Sequence, residues 1–346
     1  MKRHLLLGSL LLAGFSFGQI TVTENNLVQP SDIVDEAFDQ SFTITHTPAG
    51  IDLTWNYAAL VEDSSGVLNI GAASWANGSA EFPDANLSGD DNSGQGSIFL
   101  RKSASALDIL GFYGDPLGTG SNEAFAFDPQ DRITPLPLTY NTTDQNNYTF
   151  DITIAPGPSG TDSARVKQVV EQEFLADAWG EVTTPLGTFD AVRLLKTQIS
   201  TDSTWVYAFG NQQLVDNGKD TTYTYSFFTN DANVRYPLIE YDYDPITQQI
   251  VSDIAWLKAE PTTSIEEVDL SAFEMYPNPA SNEVTLSSGD IKADYLILDI
   301  TGKKIMSGNT NAKEKTIDIS ELNKGVYLVK FFTSEKYIGT KKLIKK

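Results

Sequence analysis

Val182-Thr183-Thr184-Pro185-Leu186-Gly187-Thr188-Phe189-Asp190-Ala191-Val192-Arg193 is the stretch that decides the fold class. β-branched and aromatic residues, which pleated strands favour, lie on both sides of its Pro-Leu-Gly centre. Proline and glycine are typical of a turn, and Gly187 supplies the backbone freedom that a turn needs. The stretch therefore predicts a turn that leads into a strand, with Arg193 available to pair with acidic neighbours.

The same sequence pattern continues on both sides of this stretch. Short runs of β-branched and aromatic residues alternate with turn clusters, as in antiparallel strands, and helix signals are scarce. We therefore predict an all-β, antiparallel body. Its predicted strands are residues 42–45, 51–57, 97–102, 148–154, 165–174, 189–199, 204–209, 222–228, 236–243 and 250–258.

Two glycine-containing segments are predicted to lie outside the strands. Residues 216–220 contain an Asn-Gly pair between two predicted strands, which suits a tight hairpin turn with positive φ. Residues 156–160, Pro-Gly-Pro-Ser-Gly, either separate two lobes or form a long loop, and we favour the loop.

Composition excludes several kinds of chemistry. The chain has 346 residues and no cysteine, which rules out disulfides, thiolate metal sites and cysteine nucleophiles. Of its two histidines, His4 lies in the N-terminal signal described below, so His46 is the only imidazole in the rest of the chain. This scarcity argues against most zinc and Ser-His-Asp chemistry.

Charge is divided unevenly along the chain, whose net charge is −22. Residues 19–269 hold 37 acidic against 10 basic groups, whereas residues 270–346 hold 12 lysines against 9 acidic groups. An acidic body repels nucleic acid and anionic membranes, so we expect neither as a partner. Solubility outside the cell accounts for this charge, and binding of Ca²⁺ or a cationic surface is the alternative.

The N-terminus has the pattern of a secretory signal peptide. Two basic residues precede an apolar run over residues 5–17, and cleavage is predicted between Gly18 and Gln19. Residues 1–18 are thus expected to engage the Sec translocon and signal peptidase. The run is too short for a stable membrane anchor, and no later stretch reaches the roughly 18 apolar residues of a membrane helix. We therefore predict no transmembrane segment.

One stretch matches part of a calcium-binding loop. Asp84, Asn86, Ser88 and Asp90 supply oxygen atoms at loop positions one, three, five and seven. At position twelve, Gln95 stands where a bidentate glutamate is needed. We favour a polar surface loop, with Ca²⁺ as the alternative, and predict no other cofactor.

No catalytic constellation emerges from the body. With 37 acidic groups some carboxylates must be close by chance, and no Gly-x-Ser-x-Gly elbow accompanies His46. The five tryptophans suit the core better than a sugar-binding face. We therefore favour a non-enzymatic binding or structural module. A carboxylate-based, glycan-directed hydrolase and a carbohydrate-binding protein, each with an extracellular glycan as partner, are the alternatives.

A boundary follows the body, which we assign to residues 19–258. Residues 259–266 have a linker-like composition, and the charge balance changes sign beyond them. In residues 267–346, Val284 and Leu286 alternate with polar neighbours as half-buried strands do, and the apolar run 326–332 suits a central strand. We predict a small β-sandwich there.

Four spaced motifs run through this last segment: Pro-Asn-Pro, Asp-x-x-Gly-Lys, Leu-x-x-Gly-x-Tyr and a basic end. Their residues are Pro277, Asn278, Pro279, Asp299, Gly302, Lys303, Leu322, Gly325, Tyr327, Lys345 and Lys346. This order closely resembles the type A sorting domain of type IX secretion. The alternative is an ordinary Ig-like binding module.

The resemblance implies an Ig-like sorting domain in a protein of a Bacteroidetes-type bacterium. It further implies delivery through the outer membrane by the type IX translocon, with removal of the tail by sortase-like machinery. The expected location is the cell surface or the medium. The body, too, resembles uncharacterised secreted proteins that carry the same tail, and this likeness implies no known activity.

Overall fold

The computed structural model describes residues 19–90, 96–115, 121–154, 161–263, 273–287, 293–299, 304–310, 314–332 and 337–346. The chain forms two compact units, Met1–Ser264 and Ile265–Lys346. Strands dominate both units, and the helices of the described residues are the single 3₁₀ turns Glu24–Asn26 and Ala73–Trp75. The all-β prediction is confirmed.

The described residues of the first unit form fifteen strands. They are β1 (Asp32–Asp39), β2 (Gly50–Asn56), β3 (Ser64–Ala72), β4 (Leu87–Asp90), β5 (Gly96–Lys102), β6 (Ala106–Gly114), β7 (Glu123–Pro135), β8 (Thr143–Ile154), β9 (Ser163–Thr184), β10 (Gly187–Ala208), β11 (Asn211–Phe228), β12 (Ile239–Asp244), β13 (Gln249–Ile250), β14 (Ile254–Leu257) and β15 (Thr262–Thr263).

Most of these strands form a closed circuit of hydrogen-bonded neighbours. The order is β10-β11-β12-β14-β1-β3-β4-β5-β6-β7-β8-β9, and β9 in turn pairs with β10. Every pairing in this circuit is antiparallel, whereas β2 joins the later part of β9 in parallel, with Leu53 opposite Gly180. Closure leaves few strand edges unpaired, which protects a sheet from pairing with other chains.

Two long hairpins dominate the first unit. β9 and β10 turn at Thr184–Gly187, as the Pro-Leu-Gly stretch predicts. β10 and β11 turn at Phe209 and Gly210, which both have positive φ (52° and 76°). The predicted turn at residues 216–220 is wrong, because Gly218 lies within β11 opposite Asp202. Phe209 and Gly210 supply the turn, so the Asn-Gly pair stays in the ladder.

Other predicted strands differ in extent. Residues 42–45 form no strand; Phe42 and Ile44 instead pack on the core from an irregular segment. The predicted strands 189–199 and 204–209 are parts of one strand, β10, which ends at Ala208, one residue before the prediction. Residues 156–160 lie outside the described residues, and β8 and β9 on either side pair with each other, Ile154 opposite Ala164.

In the part of the second unit that the structure describes there are seven strands: β16 (Glu274–Tyr276), β17 (Glu283–Ser287), β18 (Asp294–Leu298), β19 (Lys304–Asn309), β20 (Glu314–Asp318), β21 (Gly325–Phe332) and β22 (Tyr337–Lys345). They form two antiparallel sheets, β16-β17-β20 and β19-β18-β21-β22. Val284, Leu286, Val329 and Phe331 are fully buried in a shared core. This arrangement is that of the predicted small sandwich. β21 is central in its sheet, but Val326 is 40% exposed, so the strand is buried on one face only.

Candidate functional site

The Pro-Asn-Pro motif contacts the last strand of the second unit. Asn278 donates a hydrogen bond from Nδ2 to the Lys342 carbonyl (2.7 Å) and accepts one at Oδ1 from the Ile344 amide (2.9 Å). Ala280 continues the contact, since its N–H donates to the Ile344 carbonyl (2.8 Å) and its carbonyl accepts from the Lys346 N–H (2.9 Å). The first and last signature motifs are therefore bonded together.

The other motif residues shape the same domain. Tyr327 donates from its hydroxyl to the Asn323 carbonyl (2.9 Å), closing the turn that precedes β21. Leu322 packs on the core, and Lys345 is buried while Lys346 is exposed. Asp299 directly follows β18, whereas Gly302 and Lys303 lie outside the described residues. The motif residues that the structure describes therefore stabilise turns of this domain and the end of β22.

In the first unit, Arg193 and Asp177 form a buried ion pair with two hydrogen bonds (2.8 and 2.9 Å). Arg193 lies opposite Ala178 and the next residue of β10 opposite Ala176, so Asp177 is an extra residue in β9. Such a β-bulge redirects a side chain that would otherwise point to the opposite face. Arg193 also donates to the Thr47 carbonyl (2.7 Å), which fastens the irregular segment 42–48 to the sheet.

His46 lies beside this ion pair among tyrosine rings. Its ring centroid is 4.1 Å from Tyr243 and 4.5 Å from Tyr225, and Nδ1 is 3.1 Å from the Tyr241 hydroxyl. Burial, and secondarily the charge of Arg193, lowers the pKa of His46 to about 4. The imidazole is therefore neutral at physiological pH and is occupied in packing.

A carboxylate pair, which sequence reasoning did not find, lies on one face of the closed sheet. Where β12 pairs with β14, Glu240 lies opposite Ala255, and where β14 pairs with β1, Ala255 lies opposite Phe38. Glu36 is two residues before Phe38 in β1, so its side chain is on the same face of the sheet. The pKa of Glu36 is raised to about 7, chiefly by burial and secondarily by the charge of Glu240, while a hydrogen bond with Tyr236 opposes the rise. A carboxyl group with such a pKa can act as a general acid near neutral pH.

The predicted calcium ligands do not form one loop. Ser88 and Asp90 belong to β4, and Ser88 is buried. Asn86 uses both side-chain polar atoms on the Lys102 backbone (2.6 and 2.8 Å), and Asp84 is exposed. Within the described residues, no group of three or more histidine, aspartate or glutamate side chains is arranged to hold a metal ion. Calcium binding, the alternative to the favoured polar surface loop, remains untested.

The tryptophans do not form an exposed face. Two are buried and three are half-buried; Arg165 covers the Trp205 ring at 5.4 Å. The five are Trp55, Trp75, Trp179, Trp205 and Trp256. The described part of the chain also has no helix that is both long and apolar enough to cross a membrane.

The tip of the β10–β11 hairpin carries apolar side chains in solvent. Phe209 is 96% exposed, and Leu214 and Val215 are about half exposed. Residues 203–215 contain no charged side chain, although Asp202 and Asp216 flank them and the body is strongly acidic. We call residues 203–215 the arm tip. Its Phe-Gly-Asn sequence was the available signal for a turn here.

Comparison with known families identifies the second unit. Residues 274–346 match the family of secretion system C-terminal sorting domains. The chain thus carries a type IX secretion C-terminal sorting domain, which directs export through the outer membrane to the cell surface or the extracellular space. The domain also implies interaction with the secretion machinery.

Solved structures give only slight likenesses. A Bacteroides fragilis protein described as exported, with a YmcC-like fold, is 12% identical, with a TM-score of 0.31 over 67% of this chain and 96% of its own. PorZ, a surface component of the type IX secretion system of Porphyromonas gingivalis, is 9% identical, with a TM-score of 0.20 over 89% of this chain and 61% of its own. At these TM-scores neither carries an argument about function. No curated protein matches the chain.

Proposed function

We propose that the exported body is a non-enzymatic binding module that holds a neutral extracellular glycan with the arm tip. The observation that carries this proposal is the backbone of Phe209. A bulky residue at φ 52° adopts the left-handed conformation at a cost of about 1–2 kcal/mol, which glycine would avoid. Burial does not offset this cost, since the ring is in solvent. Strained residues of this kind cluster at functional sites.

The chemistry of the arm tip favours an uncharged ligand. The amide side chains Asn211, Gln212 and Gln213 follow the turn directly and can both donate to and accept from hydroxyl groups. Phe209 offers an open aromatic face, and apolar ring faces of this kind pack on the C–H side of sugar rings. Residues 203–215 contribute no charge, and Arg165 over the Trp205 ring is paired with Asp151, which suits a neutral glycan better than a cationic partner.

The proposal of a non-enzymatic role rests on how the reactive groups are used. His46 is packed among tyrosines, and Arg193 and Asp177 satisfy each other. Each of these side chains already serves packing or the ion pair, and using any of them in a reaction would disrupt those contacts.

Binding can be tested with the purified mature chain and insoluble neutral polysaccharides, scored by co-sedimentation and titration calorimetry. We expect Phe209→Ser to weaken binding at least tenfold. Ile246→Ser is the matched control, because Ile246 is 91% exposed but lies in another loop. Binding to none of the polysaccharides, or equal binding by both variants, would contradict the proposal.

A second candidate function is a glycan hydrolase that uses Glu36 and Glu240. The observation in its favour is the carboxyl group of Glu36, whose pKa is raised to about 7 beside a second carboxylate. Ser226 donates a hydrogen bond to Glu240 Oε2 (2.6 Å), which orients this second carboxylate. Release of reducing sugar by the mature chain, abolished in Glu36→Gln, would establish this function in place of simple binding.

A further inference from the structure

The last strand is held on both of its edges. β22 is the outer strand of its sheet and pairs with β21 on one side. On its other side, Asn278 and Ala280 bond to the backbone between Lys342 and Lys346. Residues 278–280 therefore occupy the edge that an outer strand ordinarily leaves open.

The motif suits this contact chemically. An asparagine side chain carries one donor and one acceptor group, so it imitates a backbone peptide and can join the ladder of β22. Pro277 and Pro279 have no N–H group, so the Asn278 amide supplies the donor at this point of the edge. Aspartate would keep only the acceptor, and leucine would keep neither.

We propose that Asn278 is a positioning residue for export, which holds β22 in place so that the secretion machinery reads the strand in its folded position. Held in this register, Lys342 and Lys346 are exposed while Lys345 is buried and donates from Nζ to the Lys346 carbonyl (3.2 Å). The lysines of this end therefore have fixed positions on a folded strand and do not belong to a free peptide. This inference rests on the sorting domain and is independent of what the body binds.

The test measures the surface-delivered fraction of the full chain in the producing bacterium. We expect Asn278→Leu to reduce that fraction at least fivefold, with accumulation in the periplasm. Asn309→Leu is the matched control, because Asn309 is an exposed asparagine at the end of β19. Asn278→Asp, which keeps the acceptor, should fall between the two.

An engineered disulfide can distinguish two roles of Asn278: holding β22 in place and contacting the secretion machinery directly. Ala280 and Lys345 are bridge partners, and the chain has no cysteine that could form other pairs. Adding Ala280→Cys and Lys345→Cys to Asn278→Leu should restore at least half of the delivery. The single variant Lys345→Cys is the control, because it measures the effect of losing that lysine by itself.

Two outcomes would overturn the proposal. One is unchanged delivery of Asn278→Leu. The other is that the two cysteines alone, in an otherwise unaltered chain, block export and that a reductant relieves the block. That result would mean that β22 must detach from residues 278–280 before the secretion machinery can bind it. Thermal melting of each purified variant reports whether its sorting domain still folds.

Discussion

Arg193 Nε lies 2.8 Å from Asp177 Oδ1, and Arg193 Nη2 lies 2.9 Å from Asp177 Oδ2, with the arginine fully buried. The guanidinium also lies 4.7 Å above the Tyr225 ring. Removal of one partner from a buried ion pair leaves the other charged and unpaired, which costs far more than the net contribution of the pair.

We predict that Asp177→Asn lowers the free energy of unfolding by about 3–5 kcal/mol. Arg165 and Asp151 provide the control, because Arg165 also makes two bonds to a carboxylate (2.7 and 2.5 Å) and covers an aromatic ring, but near solvent. Asp151→Asn should cost less than about 1 kcal/mol. Urea unfolding measures both, and equal losses would show that burial is not decisive.

Glu36 should make the first unit less stable as pH rises. Its folded pKa, about 7, lies above the ordinary glutamate value of 4.5, so the folded state binds more protons between these values. Stability therefore falls from pH 4.5 to pH 7, by about 3 kcal/mol. Glu36→Gln should remove this dependence and raise stability at pH 8. A parallel pH profile in the variant would exclude Glu36 as its source.

His46 should act in the opposite direction. Its folded pKa, about 4, lies below the ordinary histidine value of 6.5, so the unfolded chain binds more protons between these values. Stability from this group therefore rises from pH 4 to pH 6.5 and is lost as pH falls through that window. His46→Gln should flatten the acid side of the profile, which thermal melts at several pH values will show. If only the alkaline side changes, the assignment to His46 fails.

Phe209 should be replaceable by glycine with a gain in stability. Phe209→Gly relieves the left-handed backbone and loses almost no buried surface, so we predict a gain of about 1 kcal/mol. Phe209→Ala retains Cβ and hence the strain, and should change stability little. Both variants should lose glycan binding. Destabilisation by glycine would mean that the ring packs on the protein in solution.

Deletion of residues 267–346 tests whether the sorting domain directs export. Without the sorting domain, the protein should accumulate in the periplasm instead of reaching the surface. Cell fractionation with an antibody to the body measures this. Unchanged surface delivery would show that another part of the chain directs export.

Local chemistry accounts for what could be predicted from sequence. β-branched runs identified most strands of the body, and the Pro-Leu-Gly turn joins β9 to β10 as expected. Pairing over a distance could not be predicted. Arg193 was expected to meet an acidic partner, but which one depends on the bulge at Asp177.

The candidate sites show the same limit. The sorting motifs were recognisable in order, yet nothing local indicates that Asn278 bonds to β22, more than sixty residues later. Glu36 and Glu240 lie far apart in sequence, and they share one face of the sheet because β14 aligns β1 with β12. The arm tip was missed because an Asn-Gly pair nearby has the stronger local turn signal.

Closure of the circuit also sets the order of events during biogenesis. β1 pairs with β14 and with β15, placing Asp32 opposite Thr263 at the far end of the body. No emerging fragment that ends before these strands can close its sheet, however much of the chain has already appeared. The body can therefore close only when residues up to Thr263 are present, just before the sorting domain begins, so a chain truncated earlier would have neither a closed body nor a sorting domain.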